Sequence, residues 1–249
     1  AWKVVLSIIV AVLLLFIVAE AGIRAFVANQ ITSQAPEGTS VSFGASPVTV
    51  GLLGGKFPHM TVDQQSDLQI NGDQISGTPA SVVDMDNVRL NNGEPVAESV
   101  RLTTELPNDF VRAMLNQQIQ QQIGDNFLAN VITVSDVVSN EEAGTFSIVF
   151  TSGAAGIELQ PEMQDGQLTF QARSTELFGF ALPDDVADAI SSAMSQGVEQ
   201  EATGGMSVED FTVIPGGLRV SVSGENVNFK ELQDMQQSPQ MPGQPAYQP

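Results

Sequence analysis

Hydrophobic and polar positions alternate with a period of two along most of this chain and switch to a helical period in only a few places. Val41 to Phe43, Val48 to Val50, Phe57 to Asp63, Leu68 to Asn71, Ser81 to Leu90 and Ala97 to Leu106 predict short strands. They end at turn signals such as Asn71-Gly72 and Asn92-Gly93. Strands polar on one side are poor central strands of a parallel sheet, so the pattern predicts an antiparallel sheet with one wet face. Phe110, Met114, Leu115 and Ile119 then recur at helical spacing and predict a helix from Asn108 to about Ile123, its outer face rich in Gln. Val131 to Val138 and Thr145 to Thr151 read as further strands, and Ile157 to Pro161 and Gln167 to Ala172 flank the hairpin signal Asp165-Gly166. A second helix is expected from Asp184 to about Gln196, burying Val186, Ile190, Ala193 and Met194. Met206 to Ile214 and Leu218 to Ser223 form a closing hairpin on Pro215-Gly216-Gly217.

The two helix entries resemble each other. Leu106-Pro107-Asn108-Asp109 and Leu182-Pro183-Asp184-Asp185 each place a proline pre-set for helical entry before residues that suit the positive end of a helix dipole. Alternating segments precede both, which suggests an internally duplicated strands–helix–strands unit. The expected fold class is α+β: a curved antiparallel sheet wrapped around two amphipathic helices, behind an N-terminal transmembrane helix.

That N-terminal helix is inferred from Val4 to Ala19, apolar except for Ser7, with Trp2 and Lys3 before it and helix-compatible residues to about Asn29. The apolar part would span roughly 24 Å as a helix, extendable towards the ~30 Å hydrocarbon core. Ala19-Glu20-Ala21 fits a signal-peptidase site, but the run is long for a signal peptide, and an anchor is the preferred reading. Lys3 places the N-terminus in the cytoplasm and the rest outside. The organisation read from the sequence is an anchor at 1–29, a stalk at 30–40, an extracytoplasmic domain at 41–230 and a Gln/Pro-rich tail at 231–249.

The chain has 29 acidic and 9 basic residues, a net charge of −20, and no cysteine. Such a surface repels phosphate backbones, so nucleic acid is not an expected partner. Lack of cysteine removes disulfides, thiolate catalysis and Cys-ligated metals. His59 is the single histidine and is expected to be a strand residue with a structural or surface role. Asp84, Asp86 and Asn87 lack the spacing of a calcium loop, and Glu141-Glu142 and Asp184-Asp185 read as turn and cap residues. Gly51-Leu52-Leu53-Gly54-Gly55-Lys56-Phe57 misses the phosphate-loop spacing and is expected to be a turn exposing Leu52 and Leu53, which with Phe57 make a candidate membrane-facing loop. No catalytic residue, metal or cofactor is expected.

What remains is apolar. Phe110, Met114, Phe150, Phe170, Phe178, Phe180, Ile190 and Met194 are large, adaptable side chains on inward positions, suited to line a channel for acyl chains. Val48 to Phe57, Phe178-Gly179-Phe180-Ala181-Leu182-Pro183 and Pro215 to Gly224 together resemble the LmeA-type phospholipid-binding proteins of actinobacteria, in order over about residues 20 to 230. The resemblance implies a TULIP-like domain that holds lipid in an apolar channel, in the cell envelope, without known catalytic residues. The expected partner is a membrane lipid or phospholipid. An alternative role is an accessory or scaffolding subunit of a larger membrane complex, such as a respiratory-chain assembly, docking other subunits through the anchor helix and the tail.

Overall fold

The computed structural model describes residues 20–30, 32–33, 38–91, 94–123, 133–150, 155–164, 167–177, 180–181 and 206–230. The expected anchor up to residue 19, the second helix (Asp184 to Gln196) with Ile190 and Met194, Phe178, and the tail lie outside them. Among the described residues no helix is long and apolar enough to cross a membrane.

The described residues form mostly antiparallel sheet with few helices. A helix at 20–30 (α1) precedes β1 (Thr39–Phe43), α2 (Val48–Leu53), β2 (Lys56–Gln64), β3 (Gln69–Asn71), β4 (Gln74–Ser76), β5 (Ser81–Asn91) and β6 (Glu94–Pro107). Helix α3 (Asn108–Ile123) follows, then β7 (Val134–Asn140), β8 (Thr145–Phe150), β9 (Ala155–Gln164), β10 (Gln167–Leu177) and β11 (Phe180–Ala181). The described chain closes with β12 (Met206–Ile214) and β13 (Gly217–Asn228). A six-stranded sheet runs β1-β2-β5-β6-β13-β12, a five-stranded sheet runs β11-β10-β9-β8-β7, and β3-β4 is a separate hairpin. Within these sheets β2-β5-β6 leads into α3, and β8-β9-β10 leads through β11 towards the second Leu-Pro-Asp entry.

One expected strand is a helix. Val48-Thr49-Val50 has β-branched residues and alternation, yet it opens α2 because the Glu20 carboxylate accepts the amides of Val48 at 2.6 Å and Thr49 at 2.8 Å and the Thr49 hydroxyl. These are the orphan N–H groups of a helix start, and a carboxylate on them overrides local propensity. Gly51 then lets α2 lie on β2: a Cβ there would stand 2.5 Å from the Lys56 carbonyl oxygen and from Pro58 Cδ.

Two cores hold the sheets. In the first, Val134, Val137, Phe146, Ile148, Ile157, Leu159, Leu168 and Phe170 of the five-stranded sheet meet Val111 of α3 and Val213 and Leu218 of the β12–β13 hairpin. Phe170 packs edge-on against Phe146 (centroids 5.9 Å) and Phe211 (5.4 Å), so a T-shaped cluster joins β8, β10 and β12 across the two sheets. The second core lies on the six-stranded sheet alone: Met60, Met85, Val88, Ala97, Val100 and Val227, with Phe43 and Phe57 among the partly buried residues against it.

Helix α3 is pinned by Asn116, which is buried and fully used. Its Nδ2 donates to the Val134 carbonyl (3.0 Å) and to Asp73 (2.9 Å), and its Oδ1 accepts the Val134 amide (2.7 Å). Arg112 donates to Asp73 and to the Gly72 carbonyl, both at 2.8 Å, which docks the β3–β4 turn on the helix. These bonds turn Val111 and Ala113 to the interior, with Leu115 and Ile119 partly buried beside them, and leave Met114, expected inward, 38% exposed.

Candidate functional site: an apolar band on the six-stranded sheet

Register decides what the face of the six-stranded sheet can do. Along it, Val41, Val62, Val83, Leu102, Val222 and Val208 are cross-strand neighbours in an unbroken row through all six strands. At a strand spacing of about 4.8 Å, five gaps make a band roughly 24 Å long. The adjoining row on one side is Phe43, Met60, Met85, Val100, Gly224 and Met206. On the other side lies Thr39, Gln64, Ser81, Thr104, Val220 and Phe211, polar over β1 to β6 and apolar over β13 and β12.

Burial singles out the middle row. Met60, Met85 and Val100 are buried, and so are Val213 and Leu218 beyond the third row. All six aliphatic side chains of the middle row are only partly buried. Val41, Val62 and Val83 flank the second core and Val208 flanks the first, so the row bridges the two. Apolar area left partly in water across six strands is a site that gains by taking an apolar ligand, at about 0.8 kcal/mol per CH₂ removed from water. The band exceeds the ~15 Å depth of one leaflet, half of a ~30 Å hydrocarbon core. The polar side chains beside it are engaged within the chain: Gln64 donates to the Thr78 hydroxyl at 2.5 Å and Thr104 to the Ala80 carbonyl at 3.1 Å.

The opposite face is polar and chemically settled. His59, Asp86, Ser99 and Glu225 form one row, and Thr61, Asp84, Arg101 and Ser223 the next. His59 Nδ1 lies 2.7 Å from Asp86 Oδ1, and Thr61 Oγ1 lies 3.3 Å from His59 Nε2, the connectivity of a nucleophile triad. The Thr61 hydroxyl, however, donates to Asp84 at 2.7 Å. A proton held by a nearby carboxylate is not directed at the imidazole, so this is a strand-to-strand clamp. The His59 hydrogen bond, helped by that from Ser99 and opposed by desolvation, holds the Asp86 carboxyl below the usual range. A cleft of about 440 Å³ on this side is lined by Asp86, Asn87, Arg89, Glu98, Ser99, Glu225 and Asn226. Its charge makes it unfit for hydrocarbon. Among the described residues no group of three or more His, Asp or Glu is placed to hold a metal ion.

A family model describing LmeA-like phospholipid-binding proteins matches residues 17–223, well over half of the chain. The chain belongs to the LmeA-like phospholipid-binding family. The match to this family takes in all six residues of the band and ends before the Gln/Pro-rich tail. Comparison with curated proteins gave no match, and neither did comparison with solved structures.

As a member of the LmeA-like family the chain has a lipid to place, and the sequence-derived site residues divide. Phe170 is buried in the inter-sheet aromatic cluster and Phe150 is partly buried against the same core, so these two come together. Phe110 is partly buried on α3, and Met114 is 38% exposed. Phe180 lies in β11, but its side chain is outside the described residues. Of the candidate membrane-facing loop, Leu53 is 87% exposed in α2, Phe57 is the second residue of β2 and packs against the second core, and the Leu52 side chain is outside the described residues. The valine band was not singled out from the sequence. Alternation in each strand is visible there; the signal that assembles the band is the register, which places one aliphatic residue of each strand, five valines and Leu102, beside the next.

Proposed function

We propose that the chain is a membrane-anchored, extracytoplasmic phospholipid-binding protein without catalytic activity, and that the row Val41–Val62–Val83–Leu102–Val222–Val208 receives the acyl chain. The observation that carries this reading is the continuous, partly buried aliphatic row in a chain whose family binds phospholipid. Binding needs only matched apolar surface, and the polar face offers no hydroxyl aimed at the one imidazole. Support for the anchor is the apolar run Val4 to Ala19 ahead of Glu20, and support for the outside location is Lys3 before that run.

The test is lipid uptake by delipidated full-length protein, read by native mass spectrometry after exposure to phosphatidylglycerol vesicles. The wild type is expected to carry phospholipid, and Val83→Asp with Val222→Asp to carry little while keeping the wild-type circular dichroism. Wild-type protein that takes up none, or a double variant that takes up as much as the wild type, would refute the assignment.

A further inference from the structure

Glu20 and Arg24 tie α1 to α2 at one end of the six-stranded sheet. Arg24 Nε donates to Glu20 at 2.6 Å, and its other nitrogens donate to the carbonyls of Phe43 (3.2 Å), Gly44 (3.0 Å) and Ser46 (3.0 Å). The guanidinium also stands 5.9 Å from the centroid of the Phe43 ring. Glu20 meanwhile caps α2. The orientation of α2 is therefore fixed to the residue that directly follows the apolar run Val4 to Ala19.

That fixed helix buries Val48 completely and turns two apolar side chains outward, with Val50 55% and Leu53 87% exposed. Phe26 of α1 is 71% exposed. A second, independent feature lies at the same end. Lys56, the first residue of β2, is the register partner of Arg89 in β5. Among the described residues every other lysine and arginine makes an ion pair with a carboxylate: Arg24, Arg101, Arg112, Arg173, Arg219 and Lys230. Lys56 and Arg89 do not. Arg89 donates to Asn226 at 3.4 Å on the rim of the polar cleft that Asp86, Glu98 and Glu225 also line, yet neither it nor Lys56 forms an ion pair, so in a chain with a net charge of −20 these two neighbouring cations can take negative charge from outside.

Exposed aliphatic side chains beside cations that form no ion pair match the boundary between acyl chains and anionic headgroups. We propose that the α2 edge, formed by Val50, Leu53, Lys56 and Arg89, is the surface on which the protein rests against an anionic phospholipid bilayer. Val50 and Leu53 enter the acyl boundary, and Lys56 and Arg89 meet headgroup phosphates. This rests on the membrane-anchored reading above and deepens it. The edge adjoins Phe43 and Phe57, which flank the second core, so a lipid leaving the bilayer here meets the end of the apolar face.

The test exploits the lack of cysteine. A nitroxide on Leu53→Cys in the full chain, reconstituted in vesicles of equal phosphatidylcholine and phosphatidylglycerol, is compared with one on Gln69→Cys in β3. Residue 53 is expected to collide several-fold more with oxygen, relative to a water-soluble nickel chelate, than residue 69. K56E/R89E is expected to lower that ratio in the mixed vesicles and to leave it unchanged in pure phosphatidylcholine. Equal water access at 53 and 69, indifference to the charge reversal, or a chain that fails to sediment with vesicles overturns the proposal. Lipid uptake by the delipidated chain is scored separately, so loss of lipid binding and loss of bilayer contact are distinguishable results.

Discussion

The Glu20 carboxylate accepts the Val48 amide at 2.6 Å, so a side chain of α1 is the cap of α2. Burial opposes its charge, but hydrogen bonds from the Thr49 hydroxyl and amide, the Val48 amide and Arg24 prevail and lower its pKa from 4.5 to about 2. A carboxyl whose pKa falls on folding stabilises the fold above its unfolded value, and that contribution fades as pH drops through the folded value. Glu20→Gln should therefore be less stable than wild type at neutral pH, and the difference should shrink between about pH 4.5 and pH 2. Urea unfolding of both proteins across that range measures it. A gap independent of pH would contradict the assignment.

Asn116 serves both the amide and the carbonyl of Val134. Asn116→Ala leaves both backbone groups and Asp73 short of a partner and should cost about 2–4 kcal/mol. Asn116→Asp should cost more near neutral pH, since a carboxylate would face the Val134 carbonyl and the Asp73 carboxylate. Chemical denaturation of the three proteins gives the order.

Phe146, fully buried, packs against both Phe170 and Phe211. Phe146→Ala should destabilise by about 3–5 kcal/mol. Because Phe146 belongs to the inter-sheet core and not to the band, the folded fraction should still take up phospholipid. Thermal denaturation and lipid uptake on the same sample separate the two effects.

Gly51 stands where a Cβ would meet both the Lys56 carbonyl and Pro58. Gly51→Ala should shift α2 off β2, raise protease access near residue 53 and cost about 1–3 kcal/mol. Limited proteolysis with a stability measurement checks both.

These residues also show what local sequence carries. Helix α3 was legible to its ends, because Pro107 and Asn108 mark its entry and the apolar spacing runs on to Ile123. The closing hairpin was legible from Pro215-Gly216-Gly217 for the same reason. Val48-Thr49-Val50 reads locally as a strand because its helix depends on Glu20, far upstream. The face of α3 was rotated relative to its apolar stripe because Asn116 answers to β7 and the β3–β4 turn, which no window around the helix contains. The valine band was hidden likewise: each strand showed its own alternation, while the row exists only once six registers are set. Lys56 and Arg89 are ordinary surface cations until the other arginines and lysines are seen to be paired.

Labelling with a phospholipid that bears a photoreactive diazirine on its acyl chain tests the central claim most directly. Crosslinks to the full-length protein, mapped by peptide mass spectrometry, should concentrate on β2, β5, β6 and β13 around Val62, Val83, Leu102 and Val222. Crosslinks confined to the five-stranded sheet or the polar face, or none above a no-lipid control, would contradict an apolar band as the site where this protein holds lipid.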